Sequence, residues 1–147
     1  MQSPRKVTTR VPDEQRSLRG LLDTSVVVEL EQIQVSALPV DVAISAITMA
    51  ELAAGPHATS DAEERARRQD RLQRAEAAFD PLPFDGEAAR AYGRIYAAVV
   101  AQGRKARGAR AVDLLIAATA CSTHLPLYTR NPDDFRGLEK VIAVISV

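Results

Sequence analysis

Apolar positions along the chain fall into short blocks of two kinds, some alternating and some at helical spacing, with Asp, Gly and Pro between them. Leu21 and Leu22 close an apolar approach at Asp23, which predicts a strand over 21–23 and a helix running on to about 34. Val42 and Ile44 alternate within 40–45 and predict a second short strand. Ile47, Met49, Ala50, Leu52 and Ala53 predict a helix that Gly55-Pro56 stops. Ser60-Asp61 opens a longer, highly charged helix to about 79, and Leu82-Pro83-Phe84 reads as a brief peripheral strand. Asp85 caps a helix in which Ala88, Tyr92, Ile95, Tyr96 and Val99 share one face, core or dimer contact, and Gly103 ends it. The apolar run 111–121 predicts a buried helix, 125–129 a strand, 131–135 a turn, and the β-branched segment 141–147 a last strand.

Strands alternating with helices argue for an α/β domain, a mostly parallel twisted sheet flanked by helices. Residues 1–19, polar and interrupted by Pro4 and Pro12, read as a flexible N-terminal arm, and 20–147 as the single domain. A length of 147 residues with 46% apolar positions supports one real core and argues against global disorder. The formal net charge of zero removes any global basic field, so an anionic substrate needs a local patch or a metal. Cys121 is the only cysteine, which excludes an intrachain disulfide and a Cys-rich metal site. No apolar run reaches bilayer length and the N-terminus lacks a signal-type apolar segment, so the expectation is a cytoplasmic protein without a membrane anchor.

The candidate chemistry lies in acids at strand-to-helix junctions. Asp23 serves equally well as a helix cap or as the start of a site. Glu51 stands three residues after Thr48, the capping-box spacing, unless Ser45 caps that helix and leaves Glu51 free. Asp113 is the most informative, because a carboxylate among Val112, Leu114, Leu115 and Ile116 is costly unless paired or bound to metal. A dipole role in a first helical turn is the alternative. Asp133 and Asp134 after Asn131-Pro132 are explained by turn chemistry alone. Convergence alters this balance: in a parallel sheet, Asp23, Glu51, Asp113 and Asp134 all fall on one edge. Clustered carboxylates repel one another unless a cation intervenes, and an all-oxygen set suits Mg²⁺ or Mn²⁺. His57 and His124 lack zinc-ligand spacing and read as surface or loop residues.

Four segments carry a resemblance: Leu-Leu-Asp-Thr-Ser (21–25), Thr-Met-Ala-Glu-Leu (48–52), Ala-Val-Asp-Leu-Leu-Ile-Ala-Ala-Thr-Ala (111–120) and Leu-Tyr-Thr-Arg-Asn-Pro-Asp-Asp-Phe (127–135). In that order they resemble a PIN domain, specifically a VapC-type toxin ribonuclease of a bacterial toxin–antitoxin pair. The resemblance implies a Mg²⁺-dependent endoribonuclease acting on tRNA or rRNA to arrest translation. It also implies a homodimer held in check by a VapB-type antitoxin. By position it makes Asp23 and Asp113 the principal metal ligands, with Glu51 completing the set directly or through water. The fourth acid stands at Asn131 in many members and just before the Phe, here Asp134, in others; one or two metals remain open. Thr24, Ser25 and Thr129 are candidate hydroxyl donors to the carboxylates. Arg104, Lys105, Arg107 and Arg110 lead into the Asp113 helix and are candidate RNA contacts. The mixed-charge helix from Arg65 to Arg74 reads as a solvated face. The rivals are a PIN nuclease for other RNA or DNA, a catalytically silent interaction module, and an aspartyl-phosphate enzyme. The last expects an acid where Ser25 stands.

Overall fold

In the computed structural model, residues 18–104 and 109–147 are described. Most of the expected arm, as well as Lys105 and Arg107, lies outside them. The sheet has four strands, β1 (Arg19–Leu22), β2 (Asp41–Ile44), β3 (Leu127–Thr129) and β4 (Val144–Ser146), in the order β2-β1-β3-β4. All neighbouring pairs are parallel. The helices are α1 (Thr24–Val28), α2 (Ala46–Ala54), α3 (Ala62–Ala78), α4 (Gly86–Ala101) and α5 (Ala109–Thr123).

Leu21 and Leu22 show why β1 is central. Successive side chains of a strand point to opposite faces, and both leucines are fully buried. Leu21 joins the core containing Ile95, Val99, Leu114 and Ile116, which puts α4 and α5 on its face. Leu22 joins the core containing Val26, Val27, Leu52 and Ala75, which puts α1, α2 and α3 on the other. Gly20 is fixed by packing: a Cβ there would run into the edge of the Tyr128 ring and the Pro39 ring.

The connection from β1 goes to one side of the sheet and the later strands to the other, so the C-terminal ends of β1 and β3 flank a topological switch point. Asp23 follows β1 there, and Arg130 follows β3.

The structure departs from the sequence expectations where local chemistry overrides periodicity. Arg19, assigned to the arm, opens β1 and pairs with Asp41. The first helix ends at Val28 instead of near 34, and two 3₁₀ turns, Leu30–Gln32 and Val35–Ala37, lead on to β2. Three consecutive valines are poor at propagating a helix. The expected strand at 82–84 is a single parallel bridge between Leu82 and Ser45. Pro81 and Pro83 on either side have no N–H to extend it. Residues Val141 and Ile142 turn back onto the Leu138 carbonyl, so the last strand starts only at Val144. Ile95 and Val99 are core, Tyr92 packs against it, and Tyr96 is exposed. Among the described residues no helix is long and apolar enough to cross a membrane.

Candidate active site

Asp23 caps α1 and sits at the switch point at once, so its two readings are not exclusive. Its Oδ1 accepts the Val26 N–H at 3.2 Å and the Ser25 hydroxyl at 2.5 Å. The Thr129 hydroxyl at the end of β3 also donates to it. Asp23 is only 4% exposed, and burial pushes its carboxyl above the ordinary range, with the hydrogen bonds pulling the other way. The Ser25 oxygen in turn accepts the Arg130 N–H at 3.1 Å, which joins the start of α1 to the segment after β3.

Glu51 is freed by the choice of cap. Ser45, not Thr48, is the N-cap of α2, and its Oγ accepts the Thr48 N–H at 3.0 Å. Glu51 therefore stands inside the helix, and its Oε1 accepts the Thr24 hydroxyl at 2.5 Å.

Asp113 lies in the second turn of α5, because the helix already starts at Ala109, and no acid occupies its first turn. The dipole reading is thereby removed. Its carboxyl is pushed up to about 6, first by burial, then by the charges of Asp134, Asp23 and Glu51, while Arg110 pulls it down. The sensitivity of Asp113 to all three other acids places the four in one electrostatic neighbourhood. Asp134 acts most strongly of the three. It rides on a 3₁₀ turn, Pro132–Phe135, pinned by the fully buried Phe135 and Leu138. Asn131 is exposed, and its N–H donates to Thr129 Oγ1 at 3.0 Å.

The basic candidates brace this turn. Arg104 donates to the carbonyls of Arg136 and Asp133 at 3.0 and 3.2 Å, and Arg110 to that of Asp134 at 3.2 Å. Both guanidinium groups spend these bonds on carbonyls, while the Arg110 charge acts on Asp113 and the Arg104 charge on Glu139. Arg67, Arg68 and Arg74 of α3 are instead paired with Glu64, Asp70 and Glu31. Sequence reasoning did not single out Arg130, whose side chain pairs with Glu29 at the end of α1 at 2.7 Å. An arginine beside Thr129 carries no signal of its own.

The donor set fits a hard divalent cation. It is all carboxylate, the nearby hydroxyls bind the carboxylates and compete for no metal site, and His57 and His124 are exposed. Cys121 is buried under α4, where Arg94 Nη2 lies 3.6 Å from its Sγ. Among the described residues no group of three or more His, Cys, Asp or Glu side chains stands close enough together to hold a metal ion.

A model of the PIN-domain family matches residues 20–141. The chain is 37% identical over 128 residues to Ribonuclease VapC5 of Mycobacterium tuberculosis, covering 85% of this chain and 91% of that protein. The crystal structure of VapBC-5, a member of the VapBC family of toxin–antitoxin systems from the same organism, superposes with a TM-score of 0.78. It is 36% identical and covers 88% of this chain and 99% of that one. The FitAcB structure from Neisseria gonorrhoeae is 30% identical with a TM-score of 0.68, over 86% of this chain and 96% of that one. By these matches the chain belongs to the PIN-domain family, in its VapC branch.

Proposed function

We propose that this chain is a Mg²⁺-dependent endoribonuclease, the toxin of a toxin–antitoxin pair, which hydrolyses phosphodiester bonds in tRNA or rRNA and so arrests translation. The observation that carries the reading is the convergence of Asp23, Glu51, Asp113 and Asp134 from four separate segments onto one electrostatic site. It is supported by 37% identity to a ribonuclease along most of the chain.

Asp23 and Asp113 would hold the ion, with Mn²⁺ able to substitute. Bound there, Mg²⁺ would supply Lewis-acid stabilisation of the phosphate and a more acidic water. Glu51 completes the metal-binding set directly or through water, and Glu51 or Asp134 orients the attacking water and accepts its proton. Ser25, Thr129 and Thr24 hold the Asp23 and Glu51 carboxylates, so that no rotamer search accompanies the reaction. Asn131, through its N–H on Thr129, keeps that hydroxyl oriented. Arg104 and Arg110, together with Lys105 and Arg107 between them in sequence, attract the phosphate backbone. Loop RNA, whose single-stranded bases can be splayed into a groove, is the substrate this reading favours. The working form is a homodimer bound in the resting state by a VapB-type antitoxin, a partner suggested by the VapBC-5 complex to which the chain is similar.

The test is incubation of the purified chain with total RNA and with DNA, in Mg²⁺ and in EDTA, followed by sequencing of the RNA ends. Discrete RNA cuts that vanish in EDTA and in Asp113→Asn are expected. Cleavage of DNA with RNA left intact would replace this reading by a DNA-directed nuclease. Full growth inhibition by both Asp23→Asn and Asp113→Asn would replace it by a non-catalytic module.

A further inference from the structure

We infer that Thr48 is a positioning residue for Glu51: its hydroxyl is the middle link of a relay, Ser45 to Thr48 to Thr24 to Glu51, that fixes the orientation of the Glu51 carboxylate. The inference rests on the reading of Glu51 as a member of the metal-binding set.

Three oxygen–oxygen contacts define the relay. Ser45 Oγ lies 3.3 Å from Thr48 Oγ1, Thr48 Oγ1 lies 3.1 Å from Thr24 Oγ1, and Thr24 Oγ1 lies 2.5 Å from Glu51 Oε1. Each of the three hydroxyls has a single proton, and an ionised carboxylate can only accept. Thr24 must therefore donate to Glu51, which leaves Thr48 to donate to Thr24 and Ser45 to donate to Thr48. This is the one arrangement in which every contact is filled. All three protons then point the same way and end on the charge, the condition under which successive hydrogen bonds strengthen one another.

Burial argues that the middle hydroxyl is there for this purpose. Ser45 and Thr48 are both fully buried. The cap of α2 is made by Ser45 Oγ with the backbone N–H of Thr48, so it does not use the Thr48 hydroxyl. A valine would fill the same volume and spare the desolvation of an O–H. Thr48 and Glu51 are one turn apart on one face of α2, and Thr24 of α1 bridges both. Thr24 also follows Asp23 directly, so the relay sets Glu51 relative to Asp23 as well as within its own helix.

The experiment is Mn²⁺ titration of the full chain by calorimetry, with circular dichroism as the check on folding. Thr48→Val is expected to stay folded and to bind Mn²⁺ about 10-fold more weakly, the usual effect of removing a partner that orients a ligand. Thr48→Ser, which restores the hydroxyl, returns the affinity. With Thr24→Val already in place, Thr48→Val causes no further loss, because the relay is already cut. Wild-type affinity in Thr48→Val, or losses in the two single variants that simply add, would overturn the inference. Should Thr48→Val fail to fold, Thr24→Val against Thr24→Ser tests the last link, and unchanged affinity in Thr24→Val overturns it equally. Glu51→Gln separates the two readings. No change there removes Glu51 from the metal set, whereas a loss there with none in Thr48→Val removes the relay alone.

Discussion

The two halves of the acidic edge are built on opposite principles. On the β1–α1–α2 side, Asp23 accepts bonds from Ser25, Thr129 and the Val26 N–H, and Glu51 accepts one from Thr24. On the α5 side, no side-chain hydrogen bond to the carboxylates of Asp113 or Asp134 is found among the described residues, and burial and mutual repulsion push Asp113 up to about 6. One half is held in place before any ion arrives. The other is electrostatically frustrated and relaxes only when a proton or a cation is taken up. Binding of a divalent ion should thus draw the α5 side toward a fixed α1–α2 side, with most of the energetic response at Asp113.

Breaking the frustrated half should have the largest effect. Asp113→Asn is expected to lower RNA cleavage by about 10²-fold or more. The same change should stabilise the metal-free protein at pH 7.5 by on the order of 1 kcal/mol, since it removes the charge that the other acids oppose. Cleavage assays paired with thermal melts in EDTA check both, and a destabilised metal-free variant would contradict the comparison.

Breaking the held half comes next. Ser25→Ala removes a donor to Asp23 and the acceptor of the Arg130 N–H together. A loss of about 1 kcal/mol in the melt and of about 10-fold in Mn²⁺ affinity is expected, opposite in stability sign to Asp113→Asn.

The smallest effect, and the sharpest on direction, is pH. The folded carboxyl of Asp113 titrates near 6 against an ordinary 3.8. Above about 6 both folded and unfolded states are ionised and the folded one bears the repulsion. Between about 6 and 3.8 only the folded state holds the proton, so stability of the metal-free protein rises as pH falls through that window. Asp23, also raised, acts in the same direction. Glu64 and Glu139, both lowered from 4.5 by hydrogen bonds, oppose it only at more acid pH. Melts between pH 7 and 5 should show Tm increasing toward acid in EDTA and the slope reversing in saturating Mg²⁺, because the ion needs Asp113 ionised. A shallower profile in Asp113→Asn, with Asp23 left to titrate, completes the comparison.

Much of the architecture was legible because burial writes itself into the chain. Leu21-Leu22 before Asp23 marks a strand buried on both faces, and Asp113 stands out because its neighbours in α5 are so apolar. Periodicity failed where backbone chemistry governs: the valines that cut α1 short, the prolines that reduce the 82–84 strand to one bridge, and the turn at Leu138 that delays β4.

The amino-acid order alone therefore determined the alternation of strands and helices and the identity of the outlying acids, since each depends on neighbours within a few residues. Whether Ser45 or Thr48 caps α2, and so whether Glu51 is free, was decided only when Thr24 and Leu82 were brought against that helix end. The same holds for Asp134, indistinguishable from a turn aspartate until Phe135 anchors it and its charge reaches Asp113. A carboxylate's field and a hydroxyl's partner depend on distances across the chain, and those distances exist only after the sheet has closed.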